Sequence, residues 1–303
     1  MTRTRLLFGG VVAALALSAT GCGGEDPTTP DTGGEAPSDT IVVGSANFQE
    51  NILLAEIYAE ALKAKGVKVS TKLNIGSREA YIPGLKDGSI DLIPEYSGNL
   101  LQYFDKETTA VSSDDVFSEL VKAVPSGLTV LDMSTAEDKD SIAVTKETAS
   151  KYNLESIADL VPVAADLTFG GPPEIKTRPD GLPGFKEHYD LTFGSFKSLD
   201  AGGPLTVNAL KNGQIDAGDL FTTDPSIPEN DFVVLEDPEN NFAAQNVLPL
   251  INEDKATDEV TSALNAVSAK LDTQTLTDLL KKVYAKQDPN TVAKDWLTSV
   301  GLI

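Results

Sequence analysis

A seven-residue pattern that occurs twice in this 303-residue chain constrains its fold more than any other feature. The segment 85–91 (LKDGSID) returns as 210–216 (LKNGQID), about 125 residues later. We interpret each copy as a helix that ends at glycine, followed by a strand that begins Ile-Asp. This separation is far too long for a solenoid repeat, so the pattern predicts two similar α/β lobes.

The hydrophobic pattern around both copies agrees with this prediction. Residues 40–48 read as a buried strand that leads into a loop, 49–65 as an amphipathic helix, and 67–73 as a second strand. A strand, a helix and a strand are expected again between 140 and 170. This order predicts largely parallel sheets. The chain from Asp258 onward reads as helical, with Trp296 packed against the core.

Each copy also places an aromatic residue five positions after its aspartate, Tyr96 in the first copy and Phe221 in the second. Small polar residues follow both aromatics. Ligands of open α/β sheets bind at the carboxyl ends of the strands, where these residues are expected. Two lobes that face each other across a cleft capture a ligand by closing on it.

The amino terminus has the pattern of a bacterial lipoprotein. A basic start, a short apolar run and small residues predict a signal peptide over residues 1–21. Cys22, the single cysteine, is the lipidated first residue of the mature protein, which we favour, or else a passenger in the signal region or a stray buried thiol. Residues 22–39 are poor in apolar side chains and predict a flexible tether that holds an extracytoplasmic protein at the outer face of the membrane.

The net charge is −22, and removal of the signal peptide makes it more negative. Nucleic acid and anionic membrane surfaces are therefore poor partners. Solubility outside the cell is the simplest role of this charge. A single cysteine excludes an internal disulfide and a zinc site built from cysteines.

Several motifs resemble the glycine betaine, choline and carnitine binding proteins of osmoprotectant ABC importers, over nearly all of the chain from Thr40. They are GSANF (44–48), GSIDLIPEYSG (88–98), KYNLESIADL (151–160), RPDGLP (178–183) and FTTD (221–224). The resemblance implies a two-lobed type II periplasmic-binding-protein fold with a ligand cleft between the lobes, and a chain that crosses twice. Lobe 1 would then comprise residues 40–137 and 247–303, and lobe 2 residues 138–246.

The same resemblance implies that the protein is a monomer without a cofactor. Its partners would be a small quaternary-ammonium solute and the ABC permease and ATPase subunits. Such proteins hold the ammonium group in a cage of tyrosines, and Tyr96 matches one of them. Phe221, Asp140 and Gln245 stand where tyrosine is common in the family. Arg178 matches a carboxylate-binding arginine.

Two further positions depart from the family pattern, with Ala46 in place of a lysine and Asn99 in place of a threonine. Three residues of the first strand-to-helix loop have side chains suited to ligand contact or helix capping. The residues predicted to contact the ligand are thus Tyr96, Phe221, Asp140, Arg178, Asn99, Ser45, Asn47, Gln49 and Gln245. Phe48, Tyr81 and Tyr103 are further aromatics that complete the cage if the fold brings them there.

Some of these residues have an equally plain structural interpretation. Tyr96 and Phe221 either bind ligand or pack in the core. Asp140 either attracts a cation or belongs to a solvated charge run. Arg178 either binds a carboxylate or pins the turn that follows it to an acidic neighbour.

The sequence does not have the residue pattern of an enzyme. His188 is the single histidine, so no metal site with two histidines is available, and neither a nucleophile elbow nor a nucleotide-binding glycine loop is found. The chain has 46 acidic residues, but no two of them stand out as the catalytic carboxylate pair of a glycosidase. The alternatives to an osmoprotectant receptor are the same fold with a cationic amine, aromatic or polyol ligand, and a sensory surface lipoprotein.

Overall fold

The computed structural model describes residues 39–303, so the predicted signal peptide, Cys22 and nearly all of the tether lie outside the described residues. The strands are β1 (Ile41–Gly44), β2 (Val69–Lys72), β3 (Leu92–Tyr96), β4 (Leu128–Val130), β5 (Asp140–Val144), β6 (Thr168–Gly171), β7 (Ser195–Ser198), β8 (Ala217–Phe221), β9 (Val233–Val234) and β10 (Val247–Asn252). The helices are α1 (Gln49–Ala64), α2 (Arg78–Lys86), α3 (Ser97–Phe104), α4 (Ser113–Ala123), α5 (Lys146–Tyr152), α6 (Leu182–Tyr189), α7 (Pro204–Lys211), α8 (Ser226–Glu229), α9 (Asp258–Ser268), α10 (Thr273–Tyr284) and α11 (Pro289–Ser299).

These strands form two five-stranded sheets with the same internal order. The first sheet runs β2-β1-β3-β10-β4 and the second runs β7-β6-β8-β5-β9. In each, three neighbouring strands are parallel, and the fourth, β10 or β5, is antiparallel to its neighbours. Each sheet therefore has two parallel and two antiparallel pairings, and it is mixed rather than largely parallel as the element order predicted.

The repeated sequence pattern corresponds to equivalent positions in the two sheets. The first copy joins α2 to β3, and the second joins α7 to β8. The strands begin one residue after each aspartate rather than at Ile-Asp. Asp91 Oδ2 accepts the Val42 N–H at 2.8 Å, and Asp216 Oδ2 accepts the Thr168 N–H at 2.8 Å. Each aspartate thus satisfies a backbone donor of the neighbouring strand.

Two chain segments connect the sheets, and they lie side by side. The first segment precedes β5 and the second precedes β10. Glu137 forms an isolated antiparallel bridge with Asn246, and the Asp138 N–H donates to the Gln245 carbonyl at 3.1 Å. The chain therefore passes from the first sheet to the second and returns through paired segments.

The carboxyl-terminal helices complete the core of the first sheet. The three helices α9, α10 and α11 present apolar side chains to α1, and Trp296 is buried in the same cluster, as predicted. The second sheet has its own apolar cluster, which includes Phe169 and Phe185. Among residues 39–303, no helix has the length and apolar character needed to cross a bilayer.

Candidate ligand-binding site

Elements of both sheets line one cavity. From the part of the chain that carries the first sheet come Ala46, Asn47, Phe48, Ser77, Arg78, Tyr81, Tyr96 and Asn99. The segment before β5 and the part that carries the second sheet contribute Asp138, Asp140, Pro172, Glu174, Arg178, Ala201 and Phe221. Aromatic and charged side chains thus face the same space, as in sites that bind small organic ions.

Three aromatic rings, which we call the aromatic trio, meet in this cavity. Tyr96 is the last residue of β3 and Phe221 the last residue of β8, as predicted from the repeat. Phe48, which immediately precedes α1, lies between them, with ring centroids 6.0 Å from Tyr96 and 5.0 Å from Phe221. The two sheets therefore contribute to one aromatic surface, and Phe48 supplies the member that the sequence left unplaced.

A glycine makes room for one ring of the trio. Gly202 has a φ of +59° and faces Phe221, and a Cβ at this position would lie 2.7 Å from that ring. The left-handed backbone and the close approach both favour glycine here.

Two buried carboxylates, which we call the floor pair, lie next to the trio. Glu50 and Asp138 are 2% and 4% exposed. Glu50 accepts hydrogen bonds from the Tyr96 hydroxyl at 2.9 Å and from the Thr223 hydroxyl at 2.5 Å. Asp138 Oδ1 accepts the Thr223 N–H at 3.0 Å. The floor pair therefore connects α1 to the loop after β8 and holds the hydroxyl end of Tyr96 in place.

Burial governs the protonation of the floor pair. Desolvation raises the pKa of Glu50, and desolvation together with the nearby charge of Glu50 raises the pKa of Asp138 well above its usual range. Burial and then the charge of Glu50 also raise the pKa of Tyr96 well above its usual range, so its ring stays a neutral phenol. Because the charge of Glu50 opposes ionisation of Asp138, the floor pair favours retention of a proton.

A hydrogen-bonded relay connects three of the predicted site residues. The Asn99 Nδ2 donates to Asp140 Oδ2 at 2.8 Å, and Gln245 Oε1 accepts the Asn99 N–H at 2.9 Å. Asn99 and Asp140 line the cavity, whereas Gln245 is 1% exposed and lies behind Asn99. The structure therefore brings all three together, with Gln245 in a position to orient Asn99.

Both arginines of the cavity are already engaged by carboxylates. Arg78 makes a bidentate pair with Glu95, at 2.9 and 2.7 Å, and Tyr81 donates its hydroxyl to the same carboxylate. Such a fork-to-fork pair uses the guanidinium donors that a ligand carboxylate would need.

Arg178 bonds to Glu79 at 3.2 and 3.3 Å and lies 3.9 Å from Glu174. This residue joins α2 to the segment after β6, and its guanidinium faces acidic neighbours.

The polar side chains of the loop after β1 do not all lie in the cavity. Asn47 lines the cavity and does not cap α1, because the N-cap residue of this helix is Phe48 and no side chain caps it. Ser45 is fully buried, and its hydroxyl accepts the Asn74 N–H at 2.8 Å. Gln49 lies in a neighbouring depression beyond Phe48. A ligand contact by Ser45 or Gln49 stays a prediction that this arrangement does not favour.

Some residues of the site escaped sequence reasoning. Glu50, Asp138, Glu174 and Arg78 carry no local signal that distinguishes them from solvated polar residues, whereas Thr223 belongs to the FTTD motif. Among the aromatics left open, Tyr81 lines the cavity, whereas Tyr103 lies in an adjoining one and packs on Phe104. In residues 39–303 no cluster of three or more histidine, cysteine or acidic side chains has a geometry that fits a metal ion.

Comparison with known proteins identifies the family. The sequence profile of the OpuAC family, the substrate binding domain of ABC-type glycine betaine transport systems, matches residues 39–299. The glycine-betaine-binding protein of Pseudomonas aeruginosa is 28% identical over 281 residues, which cover 87% of this chain and 89% of that protein. The carnitine transport binding protein OpuCC of Listeria monocytogenes is 27% identical over 281 residues, 88% of this chain and 89% of that protein.

A crystal structure described as a glycine betaine/carnitine/choline ABC transporter has the same fold. It superposes with a TM-score of 0.68 at 22% identity and covers 86% of this chain and 99% of its own. The predicted two-lobed periplasmic-binding-protein fold is thus confirmed, and so is the resemblance stated from the motifs. The chain belongs to the OpuAC family of substrate-binding domains of ABC-type glycine betaine transport systems.

Proposed function

We propose that this protein captures a small quaternary-ammonium solute of the glycine betaine, choline or carnitine type in the cavity of the aromatic trio, by closure of its lobes. The observation that carries the proposal is the trio itself, in which Phe48 and Tyr96 come from the part of the chain with the first sheet and Phe221 from the second sheet. A ligand held by rings from both sheets stabilises the closed arrangement, because each lobe alone supplies part of the contacts.

The chemistry of a quaternary ammonium suits this surface. A trimethylammonium group has no N–H and is recognised by aromatic faces, with about 0.5–2 kcal/mol per contact. Asp140 and Glu174 on the cavity wall add electrostatic attraction for a cation.

We extend the proposal to the setting in which the protein works. It is exported by the signal peptide of residues 1–21, anchored by lipidated Cys22 and spaced from the membrane by the tether of residues 22–39. The lobes comprise residues 40–137 with 247–303, and 138–246. The protein then delivers its solute to the permease and ATPase subunits of an importer, acts as a monomer and catalyses no reaction.

Calorimetric titration of the protein with choline, glycine betaine and carnitine tests the ligand class. We expect binding of at least one of them in the micromolar range and its loss in Tyr96→Ala. Tyr189→Ala is the matched control, since this buried tyrosine also donates its hydroxyl to a carboxylate, that of Asp237, but lies outside the cavity. Absence of binding by all three solutes refutes the proposed ligand class.

Small-angle scattering with and without the bound solute tests the closure. A decrease in the radius of gyration on binding is expected. An unchanged radius at saturation contradicts a hinge mechanism.

A further inference from the structure

A second cavity, with acidic side chains in its lining, adjoins the main cavity, and its most unusual member is Asp219. This residue lies inside β8 and is 1% exposed. Among the described residues, neither of its carboxylate oxygens has a hydrogen-bond donor within reach. A buried carboxylate without donors is costly, so such an arrangement calls for an explanation.

The strand geometry aims Asp219 toward the ligand. Asp219 and Phe221 are two residues apart on β8, so their side chains point to the same face, about 7 Å apart along the strand. Asp140 is the partner of Phe221 on the adjacent strand β5 and therefore shares that face. Gly171, on β6, has no side chain to obstruct Asp219, since a Cβ there would lie 2.9 Å from the Asp219 Cβ.

This second cavity is small, and three of its lining residues are acidic. It shares Asp140, Pro172 and Arg178 with the main cavity and has room for a group of about the size of a water molecule. Its full lining is Asp140, Pro172, Ile175, Arg178, Asp180, Asp219 and Phe242. Three carboxylates thus surround one guanidinium, and that guanidinium is already bonded to Glu79.

We propose that this cavity, the Asp219 subsite, takes a cationic nitrogen with N–H donors, an ammonium group, on the solute whose apolar or methylated end lies against the aromatic trio. The inference rests on the proposed function of the main cavity. Two unpartnered oxygens require at least two donors, which an ammonium supplies and a hydroxyl does not. A quaternary ammonium has none, and the carboxylate of a betaine would meet three acids there. The favoured solute is therefore an amine-bearing cation rather than a zwitterion.

Protonation of Asp219 is the competing explanation. Burial and the charges of Asp140 and Asp180 raise the pKa of Asp219 well above its usual range. A neutral carboxylic acid would tolerate burial without a ligand. The two explanations differ in what they predict for a ligand with an ammonium group, because only an ionised Asp219 gives such a ligand an advantage.

The test compares choline with (2-aminoethyl)trimethylammonium, in which a primary ammonium replaces the hydroxyl of choline. Calorimetry on the wild-type protein is expected to show the amine binding about tenfold or more tightly than choline, since hydrogen bonds to charged groups are the stronger ones. Asp219→Asn keeps the shape and removes the charge, and it is expected to bring the two affinities within about twofold. Asp166→Asn, an exposed acid of the same lobe, controls for loss of net charge and is expected to keep the wild-type ratio.

Two outcomes overturn the subsite. In the first, the wild-type protein binds the amine no more tightly than choline, a result that does not depend on whether any variant folds. The other is an amine preference that survives Asp219→Asn.

Failure of the main proposal gives a different pattern. Choline and glycine betaine would then not bind, whereas 1,3-diaminopropane, which has N–H donors and no methyl groups, would still bind in an Asp219-dependent manner. Absence of diaminopropane binding as well would refute both proposals.

Discussion

Replacing Phe48 by leucine tests the most specific feature of the cavity, the aromatic face that lies between two others. Its ring centroid is 5.0 Å from that of Phe221 and 6.0 Å from that of Tyr96, so it is the central member of the trio. Leucine retains apolar volume at this half-buried position but removes the π face. The substitution therefore separates attraction of a cation from simple apolar contact.

The expected magnitude follows from one cation–π contact. Loss of about 0.5–2 kcal/mol corresponds to an increase of about 2- to 30-fold in the Kd for choline. The uncharged analogue 3,3-dimethylbutan-1-ol has the same shape with a tert-butyl group. Its Kd should change little, because leucine and phenylalanine both offer it apolar contact. Loss of the ring pairs with Tyr96 and Phe221 affects both ligands alike and cancels in the ratio.

Isothermal titration of both ligands with the wild-type protein and Phe48→Leu gives the ratio of the Kd for choline to the Kd for the analogue directly. Phe193→Leu is the matched control, a half-buried ring stacked 4.8 Å from Phe169 outside the cavity, and should leave both affinities unchanged. A choline-to-analogue ratio that is the same in the wild-type protein and Phe48→Leu would refute the aromatic recognition of charge.

Three other substitutions or conditions give distinct results. Gly202→Ala should push Phe221 out of place, because the added Cβ would lie 2.7 Å from its ring, and so weaken choline binding about tenfold or more. Calorimetric titration measures this affinity, and an unchanged Kd contradicts the packing argument. Trp296→Ala should lower stability by about 3–5 kcal/mol through a cavity in the core of the first sheet, measured by denaturant unfolding with binding intact at low temperature. Burial, and then the charge of Asp140, raise the pKa of Asp180 from 3.8 to about 7. Asp180 lines the Asp219 subsite, and a cation in that subsite binds better when this carboxyl is ionised. The Kd of such a cation should therefore fall by up to about tenfold per pH unit as the pH rises toward 7, and then level off. A Kd that stays constant between about pH 5.5 and 7.5 would argue against this. Without ligand the same raised pKa has the opposite consequence: the folded state holds this proton more tightly, so its stability falls as the pH rises from about 4 to about 7.

Local sequence patterns predicted the framework well. The repeat around Asp91 and Asp216 indicated two similar lobes, and the aspartates turn out to satisfy equivalent backbone donors in the two sheets. The same repeat placed Tyr96 and Phe221 at the carboxyl ends of strands. These predictions succeeded because they rest on features that act over a few residues and can be recognised in the sequence, namely strand and helix periodicity, helix-ending glycines and turn chemistry.

The site itself depends on contacts between distant residues. Thr223 donates to Glu50 across 173 positions of the chain, and Asn99 reaches Gln245 across 146. Phe48 joins the trio because the loop after β1 faces the end of β8, an arrangement that no local pattern predicts. Such juxtapositions arise when the paired crossing segments bring the two sheets together.

The sequence by itself determined the α/β class, the duplicated lobe and the two aromatics at the strand ends, since these follow from short-range periodicity. Tertiary structure alone decided which of the 46 acids matter. Glu50, Asp138 and Asp219 look like solvated charges in the sequence, and only their burial, at 2%, 4% and 1% exposure, makes them different. The physical reason is that the energy of a carboxylate is set by the water and the donors around it, and these depend on the whole fold rather than on its sequence neighbours.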